Sequence, residues 1–257
     1  MNIAIIGYGK MGKIIEQIAR TRGHTVAAII DPVALDIPAG VTSAKTIAEA
    51  NLEMVDAAIE FTQPACAAEN IIALAKKGVP AVTGTTGWLD RMDEVRRIVE
   101  EANSALLWSS NFSVGVNLFF RIAWYAAELA NKFADYDIGG FEAHHNKKLD
   151  SPSGTAKTLA EGVLSRIDRK NKIVYETIDR KPEADEFHFP SLRMGCVPGT
   201  HSLFFDSPAD TIEITHTARS REGFASGAVL AAEWLCAKKR CGIFTIDEMF
   251  KEFFSDN

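Results

Sequence analysis

Residues 142–157 read EAHHNKKLDSPSGTAK, and no other segment of the chain concentrates as much polar chemistry. His144 and His145 carry imidazoles, which exchange protons near neutral pH. Lys147 and Lys148 add ammonium charge, and Ser153, Gly154 and Thr155 stand at the head of a helix-like run. A Ser-Gly-Thr turn opening a helix offers backbone N–H groups and the positive end of a dipole to a small anion. The combination predicts a site that holds a negatively charged small molecule and moves a proton on it. Each residue alone has a plainer reading: a pair of surface histidines, two solvated lysines, and Ser153 as a simple N-cap. A metal site is not expected, because neighbours on a strand point to opposite faces and no Cys or HxxxH partner stands close by in the chain.

A second signature lies at the N-terminus. An apolar run, residues 2–6, leads into Gly7-Tyr8-Gly9-Lys10-Met11-Gly12 and then into the amphipathic pattern of residues 13–21. This is GxGxxG between a strand and a helix, where the glycines permit a tight turn, close approach to a pyrophosphate and close helix packing. The second strand, residues 25–30, delivers Asp31, an acid that can hold the ribose hydroxyls of an adenine nucleotide. A dinucleotide site follows, and a glycine turn kept only for packing would leave Asp31 unexplained. Pro32 follows Asp31 where an arginine could have neutralised a 2′-phosphate, so NADH is the expected cofactor, with Lys10 and Lys13 as cations that could also admit NADPH.

The elements that must position these residues alternate. Strands at 55–61, 80–82 and 105–108 are interleaved with helices at 64–77 and 89–102, the rhythm of a doubly wound parallel sheet. Ligands bind at strand ends in such sheets, which selects Phe61 and Thr62, Gly84, Thr85 and Thr86, and Ser109, Ser110, Asn111 and Phe112 as candidate cofactor contacts. A long apolar helix at 114–133 breaks the rhythm. Beyond it lie a strand from 136, a helix at 155–166, and β-rich segments at 173–177, 192–197, 200–205 and 211–216. Arg193 and His201 occupy turn-like stretches that read equally well as solvated hairpins. Helical patterns at 224–238 and 246–254 suggest that the C-terminus returns to the first domain. The expected architecture is α/β: a Rossmann-type domain from 1–112 plus 224–257, and an α+β substrate and oligomerisation domain from 113–223.

Composition narrows the partners. The 257 residues are 47% hydrophobic and 24% charged, which are globular values. No apolar run approaches the roughly 20 residues that span a bilayer, and the first residues lack the basic start of a signal peptide. A net charge of −6 disfavours nucleic acid. Cys66, Cys196, Cys236 and Cys241 have no CxxC spacing, so reduced thiols and a cytoplasmic setting are expected.

The segment 142–156 matches E-[AL]-H-H-x-x-K-x-D-x-P-S-G-T-A, and the chain resembles the 4-hydroxy-tetrahydrodipicolinate (dihydrodipicolinate) reductases over nearly its whole length. The glycine loop, Gly84-Thr85-Thr86, Asn111-Phe112-Ser113-x-Gly115-x-Asn117, and Arg193-x-Gly195 with Gly199-x-His201 share in the resemblance. In the loop this chain has GYGKMG where many members carry a longer GxxGRMG. The resemblance implies a homotetramer that uses NADH or NADPH to reduce a cyclic dicarboxylate imine. It makes His144 the general acid/base and Lys148 the proton donor, with His145, Ser153, Gly154 and Thr155 at the substrate. The alternatives are a non-catalytic nucleotide sensor on the same fold, which the intact HHxxKxDxPSGT segment speaks against, and another two-domain dehydrogenase of amino-acid metabolism.

Overall fold

The computed structural model describes residues 1–34 and 36–255. Residues 35, 256 and 257, which fall in the expected first domain, lie outside the described residues. In chain order the elements are β1 (Asn2–Ile6), α1 (Lys10–Thr21), β2 (Thr25–Ile30), β3 (Thr42–Ala44), β4 (Ala57–Glu60), α2 (Pro64–Lys76), β5 (Ala81–Thr83), α3 (Met92–Glu101), β6 (Ala105–Trp108), α4 (Val114–Ala130), β7 (Asp137–His144), α5 (Gly154–Leu164), β8 (Lys172–Val174), β9 (Glu186–His188), β10 (Ser191–Arg193), β11 (Thr200–Asp206), β12 (Thr211–Thr217), α6 (Glu222–Ala237), β13 (Gly242–Thr245) and α7 (Ile246–Ser255). No described helix is long and apolar enough to cross a membrane.

The chain forms two compact units, Met1–Val114 with the chain from Arg221 onward, and Gly115–Ser220. In the first unit a sheet runs β13-β6-β5-β4-β1-β2-β3, all pairs parallel. The continuous apolar runs of β1, β4 and β6 suit strands covered on both faces. Ile3, Ile5 and Ile59 pack with α1 and α6 residues such as Ile15 and Val229, while Ala4, Ile6 and Ala58 pack with Ile71 of α2 and Val95 of α3. β3 and β13 were not among the expected strands. β3 is a short, largely exposed edge strand, and β13 is a short stretch that gains strand character only by pairing with β6.

In the second unit a mixed sheet runs β12-β11-β7-β9-β8, with β10 also paired to β7. Its core joins Ile138, Leu203 and Phe205 on the sheet to Phe119, Phe120 and Ala123 of α4 and Leu159 and Val163 of α5. The expected strand at 192–197 ends at Arg193, because Gly195 turns the chain with φ +50. The solvated-hairpin reading of Arg193 is also corrected: β10 lies parallel to β7, a pairing that no local turn could make. The strand expected at 173–177 is Lys172–Val174, and β9 was not anticipated.

Candidate active site

Strand periodicity and register assemble a polar cluster in the second unit. Side chains two apart on a strand share a face, so Glu142 and His144 of β7 point the same way. The parallel pairing with β10 sets Ser191 opposite Glu142 and Arg193 opposite His144, and the antiparallel pairing with β11 sets His201 opposite Glu142. Ile138 lies on this same face, so the strip that is apolar at one end of β7 becomes polar at the other.

Glu142 is the hub, with no solvent exposure. Its Oε1 accepts from the Ser153 backbone N–H at 2.9 Å, the Ser191 hydroxyl at 2.7 Å and the Arg193 guanidinium at 3.0 Å. Its Oε2 lies 3.1 Å from His144 Nδ1 and 3.5 Å from His201 Nε2. Oε2 and His144 Nδ1 nevertheless lack an aligned hydrogen bond, so the short His144 contact is one of charge and proximity, off the N–H axis. Burial alone would raise the Glu142 carboxyl. The contacts from His144, His201, Ser153 and Ser191 outweigh it and hold the group well below the usual carboxylate range. Burial pushes the His201 imidazole down, with Glu142 opposing, and burial also lowers His216.

The other residues of the opening segment follow from this hub. Ser153 caps α5, its hydroxyl accepting from the Ala156 N–H at 3.1 Å. Because the Ser153 N–H is held by Glu142, one carboxylate anchors both His144 and the N-terminus of α5, where Gly154 is exposed and Thr155 half-buried. His145 lies just past the end of β7. Lys148 is half-buried and pairs with Asp150 at 2.8 Å, and Arg193 donates to the Asp150 carbonyl at 2.6 Å, pinning the loop. Gly199 lies against His144: a Cβ there would come within 3.0 Å of Nε2.

Glu142, Arg193 and His201 were given no role from the sequence. The signal was the two-residue spacing of Glu142 and His144, but the partners come from strands about 50 and 60 residues downstream. The same distance hid a ligand-like trio, since donor atoms of Glu142, His144 and His201 all lie within 4.8 Å of one another. Its surroundings suit protons better than a dication, because Arg193 already neutralises the carboxylate and Lys148 adds positive charge nearby.

In the first unit the glycine loop is shaped by what it lacks. A Cβ on Gly7 would fall 2.3 Å from the Phe61 carbonyl, and one on Gly12 would fall 2.2 Å from the Gly7 carbonyl. A Cβ on Gly9, the N-cap of α1, would meet nothing within 4 Å. Tight packing under the loop and open space above it, at a helix N-terminus with no side-chain cap, form a cradle that fits a dinucleotide pyrophosphate. Lys10 is exposed there. Asp31 at the end of β2 accepts from the backbone N–H groups of Tyr8 at 2.7 Å, Val33 at 2.8 Å and Ala34 at 3.0 Å. Lys13 is paired with Asp36.

A cleft of about 230 Å³ brings together Met11, Phe61, Gly84, Ser109, Ser110 and Phe112 of the expected cofactor contacts. Arg221 and Phe224 also line it, and the sequence reading had missed both. Thr62 and Thr85 stand beside it, the Thr62 N–H donating to the Thr85 hydroxyl at 2.8 Å, and Thr86 is exposed in the following turn. Asn111 sits in a tight turn with Ser109. A larger hollow of about 450 Å³ at Glu49–Glu53, Val55 and Lys77–Val79 carries no comparable chemistry.

A parallel sheet with a glycine loop after β1 and an acid after β2, joined in one chain to a buried carboxylate–imidazole cluster, defines a Rossmann-type dinucleotide-dependent oxidoreductase. The chain belongs to the dihydrodipicolinate reductase family: residues 1–112 match its N-terminus and residues 115–250 its C-terminus. The C-terminal match extends past Ser220 into α6, β13 and α7 of the first unit. A 4-hydroxy-tetrahydrodipicolinate reductase of Christiangramia forsetii is 41% identical over 256 residues, covering 100% of both chains. One from Archaeoglobus fulgidus is 36% identical, covering 98% of this chain and 100% of its own. Among solved structures, dipicolinate-bound dihydrodipicolinate reductase from Paenisporosarcina sp. TG-14 shares the fold, with a TM-score of 0.77 at 20% identity over 95% of this chain and 97% of that one.

Proposed function

We infer that this chain reduces the cyclic dicarboxylate imine derived from 4-hydroxy-tetrahydrodipicolinate to tetrahydrodipicolinate, in the diaminopimelate route to lysine. Full-length similarity to curated reductases supports the reaction. One structural observation carries its chemistry: a single buried carboxylate, Glu142, anchors both the His144 imidazole and the residue that opens α5.

NAD(P)H, when bound, supplies the hydride. The loop from Gly7 through Tyr8, Gly9, Lys10 and Met11 to Gly12 takes the pyrophosphate, Asp31 takes the adenosine ribose, and Phe61, Thr62, Gly84–Thr86 and Ser109–Phe112 take the remainder. His145, Gly154 and Thr155 hold the substrate, a carboxylate of which meets the N-terminus of α5, while Ser153, buried and committed to Glu142 and the Ala156 N–H, supports that terminus from behind. Lys148 exchanges Asp150 for a substrate carboxylate and supplies charge as reduction proceeds. His144 transfers the proton that reduction demands, a contribution of about 10² to 10⁴ in rate for a positioned acid. Following NADH absorbance after adding freshly made synthase product tests the reading. Substrate-dependent oxidation is expected, and its absence would end the assignment.

NADH is the preferred cofactor in this reading. Three backbone N–H groups hold the Asp31 side chain in place at the end of β2, where it would oppose a 2′-phosphate, and Asp36 occupies Lys13. The second unit assembles the protein as a homotetramer. The apolar strand residues 203–205 could be read from the sequence as surface left for assembly; Leu203 and Phe205 are in fact buried within the unit, and the support comes from Ile212, 52% exposed on β12, and from Phe204 stacked on Phe141. A monomeric mass by light scattering at micromolar concentration would exclude the tetramer. The four free thiols accord with a cytoplasmic setting.

A further inference from the structure

We propose that Glu142 is a positioning residue that fixes the tautomer of His144, holding the proton on Nδ1 toward its own Oε2 and leaving Nε2, above Gly199, as the atom that exchanges protons with substrate. The inference rests on the reductase reading and on three features of the cluster.

The two carboxylate oxygens are not equivalent. Oε1 has three donors, from Ser153, Ser191 and Arg193, whereas Oε2 faces the imidazole nitrogens of His144 and His201. The Oε2 charge 3.1 Å from Nδ1 favours the Nδ1–H form of a neutral imidazole even off the N–H axis, since the surroundings of one ring nitrogen decide what the other does. Second, the opposite nitrogen has room. Gly199 carries no Cβ where one would stand 3.0 Å from Nε2, so that nitrogen is left clear. Third, the carboxylate is buried and kept ionised by its contacts, which lets it share the charge His144 acquires when Nε2 is protonated. His201, its ring 5.2 Å from that of His144 and edge-on to it, limits the tilt of the His144 ring from the β11 side.

The asymmetry gives a sharp test through Glu142→Gln. The three donors at Oε1 pin the amide oxygen there, so the amide NH₂ must face His144. A donor facing Nδ1 turns that nitrogen into an acceptor and moves the ring proton to Nε2. The amide oxygen can still accept from Ser153, Ser191 and Arg193, so the exchange keeps the hydrogen bonds that anchor α5 and β10 while giving up the charge of the Arg193 ion pair.

The experiment is ¹⁵N-resolved spectroscopy of histidine-labelled full-length protein at a pH where the ring is neutral, with the His144 signal assigned by its loss in His144→Gln. Wild type is expected to show Nδ1–H and Glu142→Gln to show Nε2–H. In parallel, Glu142→Gln should lower kcat by about 10²- to 10⁴-fold, the range spanned by a lost general acid and a wrong-tautomer imidazole, with KM and NADH affinity within about threefold of wild type. Wild-type His144 protonated on Nε2 overturns the proposal even if the variant fails to fold. So does a variant that keeps wild-type kcat, or one whose loss is matched by lost NADH affinity. The spectrum needs no substrate, so a wild type that does not turn over would defeat the reductase reading while leaving this test intact.

Discussion

At the end of β1 the binding surface is made by missing atoms: Gly7 and Gly12 have no room for a Cβ, and Gly9 leaves a gap over a helix N-terminus. At the end of β7 it is made by buried side chains, with Glu142 surrounded by Ser153, Ser191, Arg193, His144 and His201. In the proposed function the first surface recognises a ligand by its main chain and is intolerant of added atoms, and the second acts through titratable groups and is intolerant of lost ones. Adding a methyl group to one and removing a functional group from the other should therefore have different signatures.

The largest expected effect is subtractive. Lys148→Ala removes the cation that is paired with Asp150 and proposed to meet substrate, so kcat should fall and KM rise together, lowering kcat/KM by about 10²- to 10³-fold. Steady-state kinetics with NADH affinity measured separately would check it, and an unchanged KM would remove Lys148 from substrate binding.

Additive changes should act on the cofactor. Gly12→Ala puts a methyl group 2.2 Å from the Gly7 carbonyl, and overpacking of this kind costs about 1–3 kcal/mol. Both NADH affinity and the thermal midpoint should drop, with affinity down about tenfold. Gly9→Ala places its methyl group in open space, so it should weaken NADH binding while leaving the midpoint unchanged. Equal midpoints for the two variants would contradict the division between packing floor and ligand gap. Asp31→Ala should have a smaller effect, narrowing the NADH over NADPH ratio of kcat/KM by a few-fold.

The smallest effect concerns acid stability. The Glu142 carboxyl is depressed in the folded protein, so the stability it contributes is present above its unfolded value, about 4.3, and is lost as pH falls below that. His201, depressed by burial, adds a loss of the same sign that begins as pH falls through about 6.5. The thermal midpoint of wild type should thus decline on acidification, and more steeply below about pH 4.3 than that of Glu142→Gln, by about 2–4 °C per kcal/mol. Parallel curves would mean that the cluster does not carry this linkage.

What could be read from the sequence follows the same contrast. The glycine loop and Asp31 are local, since a strand, a turn, a helix and the next strand lie within about thirty residues, and their spacing alone reveals the cradle. Likewise, Ser153 announces its helix by its place before Gly154 and Thr155. The Glu142 cluster joins β7 to two strands about 50 and 60 residues downstream, and only the register of β7 with β10 and β11 brings Arg193 and His201 to Glu142. Sequence periodicity could place Glu142 and His144 on one face. It could not supply the strands beside them, which is why Arg193 and His201 read as hairpin residues. β3 and β13 were missed for a related reason: short segments such as Thr42–Ala44 become strands through the neighbours they pair with.

The central claim is that nucleotide recognition belongs to the first unit and proton transfer to the second. It is tested most directly by measuring kcat and the NADH dissociation constant side by side in His144→Ala. The account predicts that kcat falls by about 10² or more with a smaller change in KM, while NADH binding, followed by fluorescence, stays at the wild-type value. A near-normal kcat, or a loss of NADH binding in proportion to the loss of activity, would contradict it.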